Sequence, residues 1–163
     1  MRTLAIALAF LLSGCITRYP DGLTIDDRLS AAELTTIAAA LDEWDTKVAI
    51  RLPIELMIKH DARFKNDEGF WVGGRAWCTK PGIIDLYPAV IETPIELYNG
   101  FMHELAHIHL GCKGDHRPGD NLMAETLQGY TGVGLDCMTL GRLANIYGGE
   151  DVPGVEECSL WKP

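Results

Sequence analysis

The chain contains one pentapeptide whose residue types and spacing suit catalytic chemistry, His103-Glu104-Leu105-Ala106-His107, or H-E-x-x-H. Two histidines four positions apart lie one above the other on a single face of a helix. Their imidazoles can therefore hold one zinc ion together, and Glu104, beside the first ligand, can reach a zinc-bound water as a general base. The pentapeptide also arises by chance in helices that bind no metal, so its context decides how it is interpreted.

The residues around the motif place it in the second half of a helix. Thr93-Pro94-Ile95-Glu96 has the pattern of a capping box with proline at the first helical position. No further proline occurs before Leu110, and Gly111 supplies a stop signal, which predicts a helix of about 17 residues. Gly100 lies three residues before His103 on the same face, where it either keeps space open near the metal or has no role.

Apolar spacing along the rest of the chain predicts an α+β fold. Ser30 to Glu33 is a second capping box, and apolar residues follow it at helical spacing as far as Val48. The other predicted elements are strands at Ile54 to Ile58, Phe70 to Trp77 (or a twisted hairpin) and Ile83 to Tyr87, and a last helix from about Asp136 to Tyr147. We expect one twisted mixed β-sheet with a covering helix, an active-site helix that carries H-E-x-x-H, and a C-terminal helix.

The N-terminus predicts export and lipid attachment. Arg2 precedes an apolar run, Leu4 to Leu12, that is too short to span a bilayer and is typical of a secretory signal peptide. Leu12-Ser13-Gly14-Cys15 resembles the bacterial lipobox, which implies a lipidated Cys15; the alternative is an ordinary signal peptide with a chance cysteine. The residue after the cysteine is Ile16 and not aspartate, which resembles lipoproteins that are sent to the outer membrane. Both the periplasmic and the surface face of that membrane stay open. The expected segments are a signal peptide over 1–14, a lipidated cysteine and tether over 15–28, and one domain over 29–163.

The cysteine content agrees with export. With Cys15 lipidated, four cysteines remain, and an even number in an oxidising compartment indicates two disulfides. Of the three possible pairings we favour Cys78–Cys112 and Cys137–Cys158. The first would join the strand before the motif helix to the loop after it, and the second would fix the C-terminal tail. The alternative is a structural zinc held by all four cysteines, but the chain has no C-x-x-C spacing.

The net charge of −9 at pH 7 argues against some classes of partner. Such an acidic protein is a poor candidate for binding nucleic acid or anionic lipid headgroups. The expected membrane contact is therefore the lipid anchor alone. Removal of residues 1–14 leaves 149 of the 163 residues, which is enough for one domain with a hydrophobic core, and we expect a monomer.

From Ser30 to Gly149 the chain resembles the metzincin clan of zinc endopeptidases, and its matrixin-like branch most closely. The features that match in order are the first helix with Trp44, the strand Gly82 to Pro88, the motif, Asn121-Leu122-Met123 as a Met-turn, and a terminal helix closing on Ile146-Tyr147-Gly148. The resemblance implies a zincin-like fold, one catalytic Zn²⁺, and a hydrophobic floor from Met123. It also suggests that Tyr130 stabilises an oxyanion, as a tyrosine does in some relatives. We favour a packing role for Tyr130, because its position matches no motif.

The third zinc ligand is where the chain departs from that family. The clan signature continues H-E-x-x-H-x-x-G-x-x-H, but here Leu110 replaces the glycine and Lys113 replaces the third histidine. A helix one residue longer, followed by a longer turn, would bring His116 to the metal. Asp115 is the nearest substitute, and a thermolysin-like arrangement with Glu125 is the competing scheme.

Two further histidines are not expected to bind the metal, and two tryptophans have two possible roles each. His109 lies two residues past His107, which turns it about 200° round the helix and away from the metal face. His60 is expected in a loop. Trp71 and Trp77 suit either a substrate cleft or, as strand aromatics usually do, the core.

These residues together predict a zinc metalloendopeptidase that hydrolyses proteins or peptides in or outside the cell envelope. Its edge strand, Gly73 to Trp77, would pair with the substrate backbone. One alternative is a zinc-binding but non-catalytic envelope lipoprotein that binds a partner; another is an interaction module in which the motif is a coincidence. Glu104 argues against the first, because a structural zinc site needs no base and tends to close with a fourth protein ligand.

Overall fold

The structure, a computed structural model, describes most of the chain between residues 23 and 158. The described residues are 23–25, 29–50, 52–59, 62–63, 65–67, 69, 71–111, 116, 122–123 and 132–158. Several residues singled out from the sequence lie outside these ranges: Cys15, His60, Cys112, Asp115, Glu125 and Tyr130. Predictions that concern them stay predictions.

A four-stranded mixed sheet forms the centre of the described structure. Its strands are β1 (Leu23–Ile25), β2 (Ile54–Ile58), β3 (Gly74–Trp77) and β4 (Gly82–Leu86). Their order across the sheet is β1-β2-β4-β3, so β3 lies at one edge. β1, β2 and β4 run parallel, and β3 runs antiparallel to β4.

Among the described residues, three helices accompany the sheet: α1 (Ala31–Lys47), α2 (Pro94–His109) and α3 (Cys137–Tyr147). Short 3-10 turns occupy Pro88–Val90 and Pro153–Glu157. α1 begins at Ser30, whose hydroxyl accepts the Glu33 backbone N–H while the Glu33 carboxylate accepts the Ser30 N–H, as the capping box predicted. None of the described helices is both long and apolar enough to cross a membrane.

The core lies between the helices and one face of the sheet. Alternate residues of the strands point into it, and Leu56, Ile58, Ile84 and Leu86 are buried there. α1 packs against α2, while α2 packs directly on β3 and β4. Gly82 permits this close approach, because a β-carbon there would lie 2.9 Å from the Cδ1 atom of Ile108 on α2.

The observed elements agree with the sequence in class and mostly in place. The fold is α+β with a mixed sheet, β2 has the predicted bounds, and Cys137 and Cys158 form the favoured disulfide. Two differences stand out. Of the predicted strand Phe70 to Trp77, the structure describes Gly74–Trp77 as a strand, and an antiparallel bridge joins Lys65 and Trp71 before it. β1 was not predicted, because three residues are too few to show a period, and it falls within the segment assigned to the tether.

Candidate metal centre

The helix α2 places His103 and His107 one turn apart. Its start is fixed by the capping box, in which the Thr93 hydroxyl accepts the Glu96 N–H and the Glu96 carboxylate accepts the Thr93 N–H at 2.9 Å. Its end is marked by Gly111, whose φ of +72° is a left-handed conformation that glycine adopts without strain. Both histidines therefore lie within the helix, His107 in its last turn, and their side-chain directions are fixed by the helical backbone.

Three histidine rings converge at this face of α2. The Nε2 atom of His107 lies 3.0 Å from that of His103 and 3.1 Å from that of His116. One ring nitrogen from each residue lies within 4.8 Å of the others. His103 is buried, His107 is half-buried and His116 is exposed, so the cluster opens towards solvent on the His116 side.

The geometry and chemistry of these rings fit a metal ion. Nitrogens bound to one tetrahedral zinc at 2.0–2.1 Å are about 3.3 Å apart, close to the two shorter separations here. The Nδ1 atom of His103 lies 2.7 Å from the Leu122 carbonyl oxygen, which can only accept, so Nδ1 carries the proton and Nε2 presents a lone pair to the cluster. Burial lowers the pKa of His103 to about 4, which keeps the ring neutral, as a ligand must be. The three histidines could thus hold a metal ion.

A second set of contacts holds the His103 ring in place from the far side of Leu122. The backbone N–H of Leu122 donates to Oδ2 of Asp136. Oδ1 of the same carboxylate accepts the Thr139 N–H at 2.7 Å and so caps α3. A single aspartate therefore connects the start of α3 to the turn that orients His103. Carbonyl or carboxylate partners of this kind fix the tautomer and orientation of metal-binding histidines.

Glu104 lies between α2 and the edge strand β3. Its burial raises the pKa of the carboxyl to about 8, against the opposing effects of the Ala76 backbone N–H, which donates to it, and the Arg75 charge. Gly74 makes room for it, since a β-carbon at that position would lie 2.8 Å from Cγ of Glu104. The carboxyl is thus held against the backbone of β3 beside the histidine cluster.

Polar side chains on α1 and α2 fix the segment that leads into α3. Asn99, buried on α2, donates from Nδ2 to the Gly132 carbonyl at 3.2 Å and accepts the Gly134 N–H at 2.9 Å. Glu43 on α1 accepts the Leu135 N–H at 3.1 Å. These contacts hold the approach to Asp136, and through it the turn at Leu122.

The remaining predicted residues divide between the site, the core and the surface. Met123 is buried in the same turn as Leu122. His109 is buried too, but its ring packs against Trp44 with centroids 4.5 Å apart and does not belong to the histidine cluster. Trp71 and Trp77 are both exposed, so neither is a core residue. Cys78 is disulfide-bonded to a partner outside the described residues, and its sulfur lies 4.0 Å from the His107 carbonyl oxygen.

Three residues of the site were not identified from the sequence: Gly74, Ala76 and Asp136. A glycine pair such as Gly73-Gly74 inside a strand indicates that another group approaches the backbone closely, so the sequence did contain a signal for Gly74. Asp136 was recognised only as the start of a helix. Nothing in the sequence indicates that the Ala76 N–H meets Glu104, because the two residues are 28 positions apart and meet only through packing.

The chain has no match among protein-family models, and no significant match among curated proteins or solved structures. The resemblance to metzincins stays a prediction from the motif and the order of the elements.

Proposed function

We propose that the protein is a zinc-dependent endopeptidase of the metzincin type. The observation that carries the proposal is the convergence of His103, His107 and His116 beside a buried carboxyl, Glu104. Three imidazoles are the donor set of catalytic zinc sites that keep a fourth position open. A site built for structure alone has no need of an acid placed next to the first ligand.

The histidines, Glu104 and the Ala76 N–H then have different roles in the reaction. A zinc ion held by the three histidines would supply Lewis acidity and lower the pKa of a bound water to about 7. Glu104 accepts a proton from the attacking water and passes it to the leaving amine. Burial raises the pKa of its carboxyl, which favours holding the accepted proton until it passes to the leaving amine. The Ala76 N–H orients the carboxyl for this exchange.

The free edge of β3 is suited to align a peptide. The Gly73 carbonyl accepts the Tyr87 N–H at 2.9 Å, so the backbone groups of Gly73, Arg75 and Trp77 are directed to β4. Those of Gly74 and Ala76 are then directed outwards, on the Glu104 side, where the Ala76 N–H already donates to Glu104. The backbone groups left for a substrate on this edge are the Ala76 carbonyl and those of Gly74. An extended substrate pairing with this edge as an added strand would bring its carbonyl groups past the carboxyl. The lipobox-like N-terminus supports a place for this activity in the cell envelope.

Metal content tests the first half of the proposal. We expect about one zinc per purified chain for the wild type and a large reduction for His116→Ala. His60→Ala is the matched control, since the sequence predicts that histidine to lie in a loop after β2. Equal zinc in wild type and His116→Ala would move the third ligand to Asp115 or Glu125. A wild-type chain that binds no zinc would refute the proposal.

Hydrolysis of an unstructured protein such as casein tests the second half. Glu104→Gln keeps the shape of the side chain but removes the base, so the rate is expected to fall about 100- to 10,000-fold with zinc retained. Glu157→Gln, an exposed glutamate, is the control and should cleave normally. A zinc-loaded wild type with no activity on unstructured proteins would instead favour a non-catalytic zinc lipoprotein.

A further inference from the structure

Positive charge is concentrated in one part of this acidic chain. Residues 51–80 contain six of the 14 lysines and arginines but only four of the 23 aspartates and glutamates, a net charge of +2 in a chain of −9. Lys65 and Arg75 are among these cations, and so is Lys59, although its ammonium group is paired with Asp85 just outside the segment. The whole-chain charge therefore hides a basic region, and the objection to anionic partners drawn from it holds only for the rest of the molecule.

The same region exposes large apolar side chains. Trp71 is 58% exposed, Trp77 is 44% exposed and Met57 is 38% exposed. Each tryptophan carries a cation over its ring, with Nζ of Lys65 4.8 Å from the Trp71 ring centroid and Cζ of Arg75 5.3 Å from that of Trp77. Cation and aromatic ring are thus presented together twice.

The sheet register shows where these residues lie. Asp85 of β4 pairs with Met57 of β2 on one side and with Arg75 of β3 on the other, so the three side chains share the face opposite the core. Asp85 is buried on that face because Nζ of Lys59 donates to it at 2.9 Å and Nε1 of Trp77 at 3.0 Å. The segment that contains Trp71 leads directly into β3. Glu55, two residues before Met57, lies on the same face. Lys65 and Trp71 are joined by an antiparallel bridge outside the sheet and belong to the set through their place in the chain before β3. We call the following residues the basic aromatic surface: Met57, Lys59, Lys65, Trp71, Arg75 and Trp77.

We propose that the basic aromatic surface docks onto an anionic phospholipid bilayer. Tryptophan rings favour the headgroup level of a membrane, and lysine and arginine beside them are attracted to lipid phosphates. Charge repulsion from the acidic remainder is weak at contact, because salt screens charges beyond about 8 Å. The surface thereby gives the molecule one membrane-facing side.

The N-terminal sequence favours a bilayer over other anionic partners. The lipobox-like Cys15 precedes β1 by eight residues, a span of at most about 28 Å when fully extended. β1 belongs to the same sheet as the basic aromatic surface. A lipid on Cys15 would therefore keep this sheet close to a membrane, where weak contacts suffice to orient the domain. The inference does not depend on the proposed peptidase activity.

Vesicle binding by the chain from residue 15 onward, with Cys15→Ser to remove the lipid site, tests the proposal. We expect sedimentation with vesicles of phosphatidylcholine and phosphatidylglycerol (3:1), little with phosphatidylcholine alone, and loss of binding at high salt. Trp71→Ala and Lys65→Glu should each weaken partitioning about tenfold. Neither residue contacts the buried Asp85, so both variants should fold, which circular dichroism would verify.

Ile95→Ala is the matched control, because Ile95 is 57% exposed and lies outside the basic aromatic surface. It should bind vesicles like the parent chain. The proposal would be overturned by absence of binding to anionic vesicles, or by equal binding of the Trp71, Lys65 and Ile95 variants. Binding to a soluble polyanion such as polyglutamate without binding to vesicles would also overturn it, and would assign the surface to a different partner.

Discussion

The two faces of the sheet are made by the same strands but have opposite character. On the helix side, Ile58, Ile84 and Leu86 are fully buried and pack against the helices. On the outer side, Met57, Arg75 and Trp77 are exposed. Because strand side chains alternate between faces, adjacent residues serve different environments. The strand β3 shows the contrast within four residues. Gly74 and Ala76 contact the buried Glu104 carboxyl, whereas Arg75 and Trp77 are exposed on the outer face.

Substitutions on the two faces should therefore differ in their effects on stability and activity. On the helix side an added atom meets a neighbour at once, since interiors are close-packed. On the outer side a side chain can rotate into solvent.

Gly74→Ala should damage catalysis most. Its β-carbon would lie 2.8 Å from Cγ of Glu104 and would displace the carboxyl. A shift of about 1 Å in a catalytic group can lower the rate about 100-fold, and we expect a loss of that size in kcat/KM with zinc retained. Gly73→Ala is the control, because its β-carbon would be 3.5 Å from Ile91, an ordinary contact. Normal cleavage by Gly74→Ala would show that this contact does not position Glu104.

Gly82→Ala should lower stability rather than activity alone. The new methyl group would approach Ile108 to 2.9 Å where α2 packs on β4, and overpacking of this kind lowers the free energy of unfolding by about 2 kcal/mol. Met57→Ala on the outer face should lower it by less than about 1 kcal/mol. Urea unfolding of both variants measures the contrast. Equal effects would mean that the two faces are packed alike.

Asp136→Asn should weaken metal binding. Asparagine still caps a helix, but its amide would present N–H groups to the Leu122 N–H and lose the link to His103. Loss of such a supporting contact lowers metal affinity about tenfold, which competition with a zinc chelator would measure. Ser30→Ala removes a helix cap of α1 and should leave zinc affinity unchanged. If both variants bound zinc equally, Asp136 would be a helix cap only.

Gly100→Ala should have the smallest effect and the opposite sign. A β-carbon at this position on α2 meets no atom within 4 Å, so there is open space around it. Alanine should stabilise α2 by about 1 kcal/mol without changing zinc content. A rise in the thermal midpoint with full zinc would show that Gly100 does not keep space for the metal. Loss of zinc would restore that interpretation.

Features that depend on neighbouring residues were predicted well. Both capping boxes, at Ser30 and Thr93, form as their sequences indicate, because their hydrogen bonds span only three residues. The stop at Gly111 and the strand Ile54–Ile58 also follow from local pattern. β1 shows the limit, since a three-residue strand exists only through its parallel pairing with β2.

Local sequence specifies the helix that carries His103 and His107, because residues four apart on a helix must lie on one face. It indicated His116 only through a resemblance. Tertiary structure alone decided that the His116 ring meets the other two, that Glu104 lies against Gly74 and Ala76, and that Asp136 reaches the turn at Leu122. The physical reason is the range of the interactions. Backbone hydrogen bonds within a helix are set by adjacent residues, whereas these contacts join residues distant in the chain and form only when sheet, helix and turn pack together.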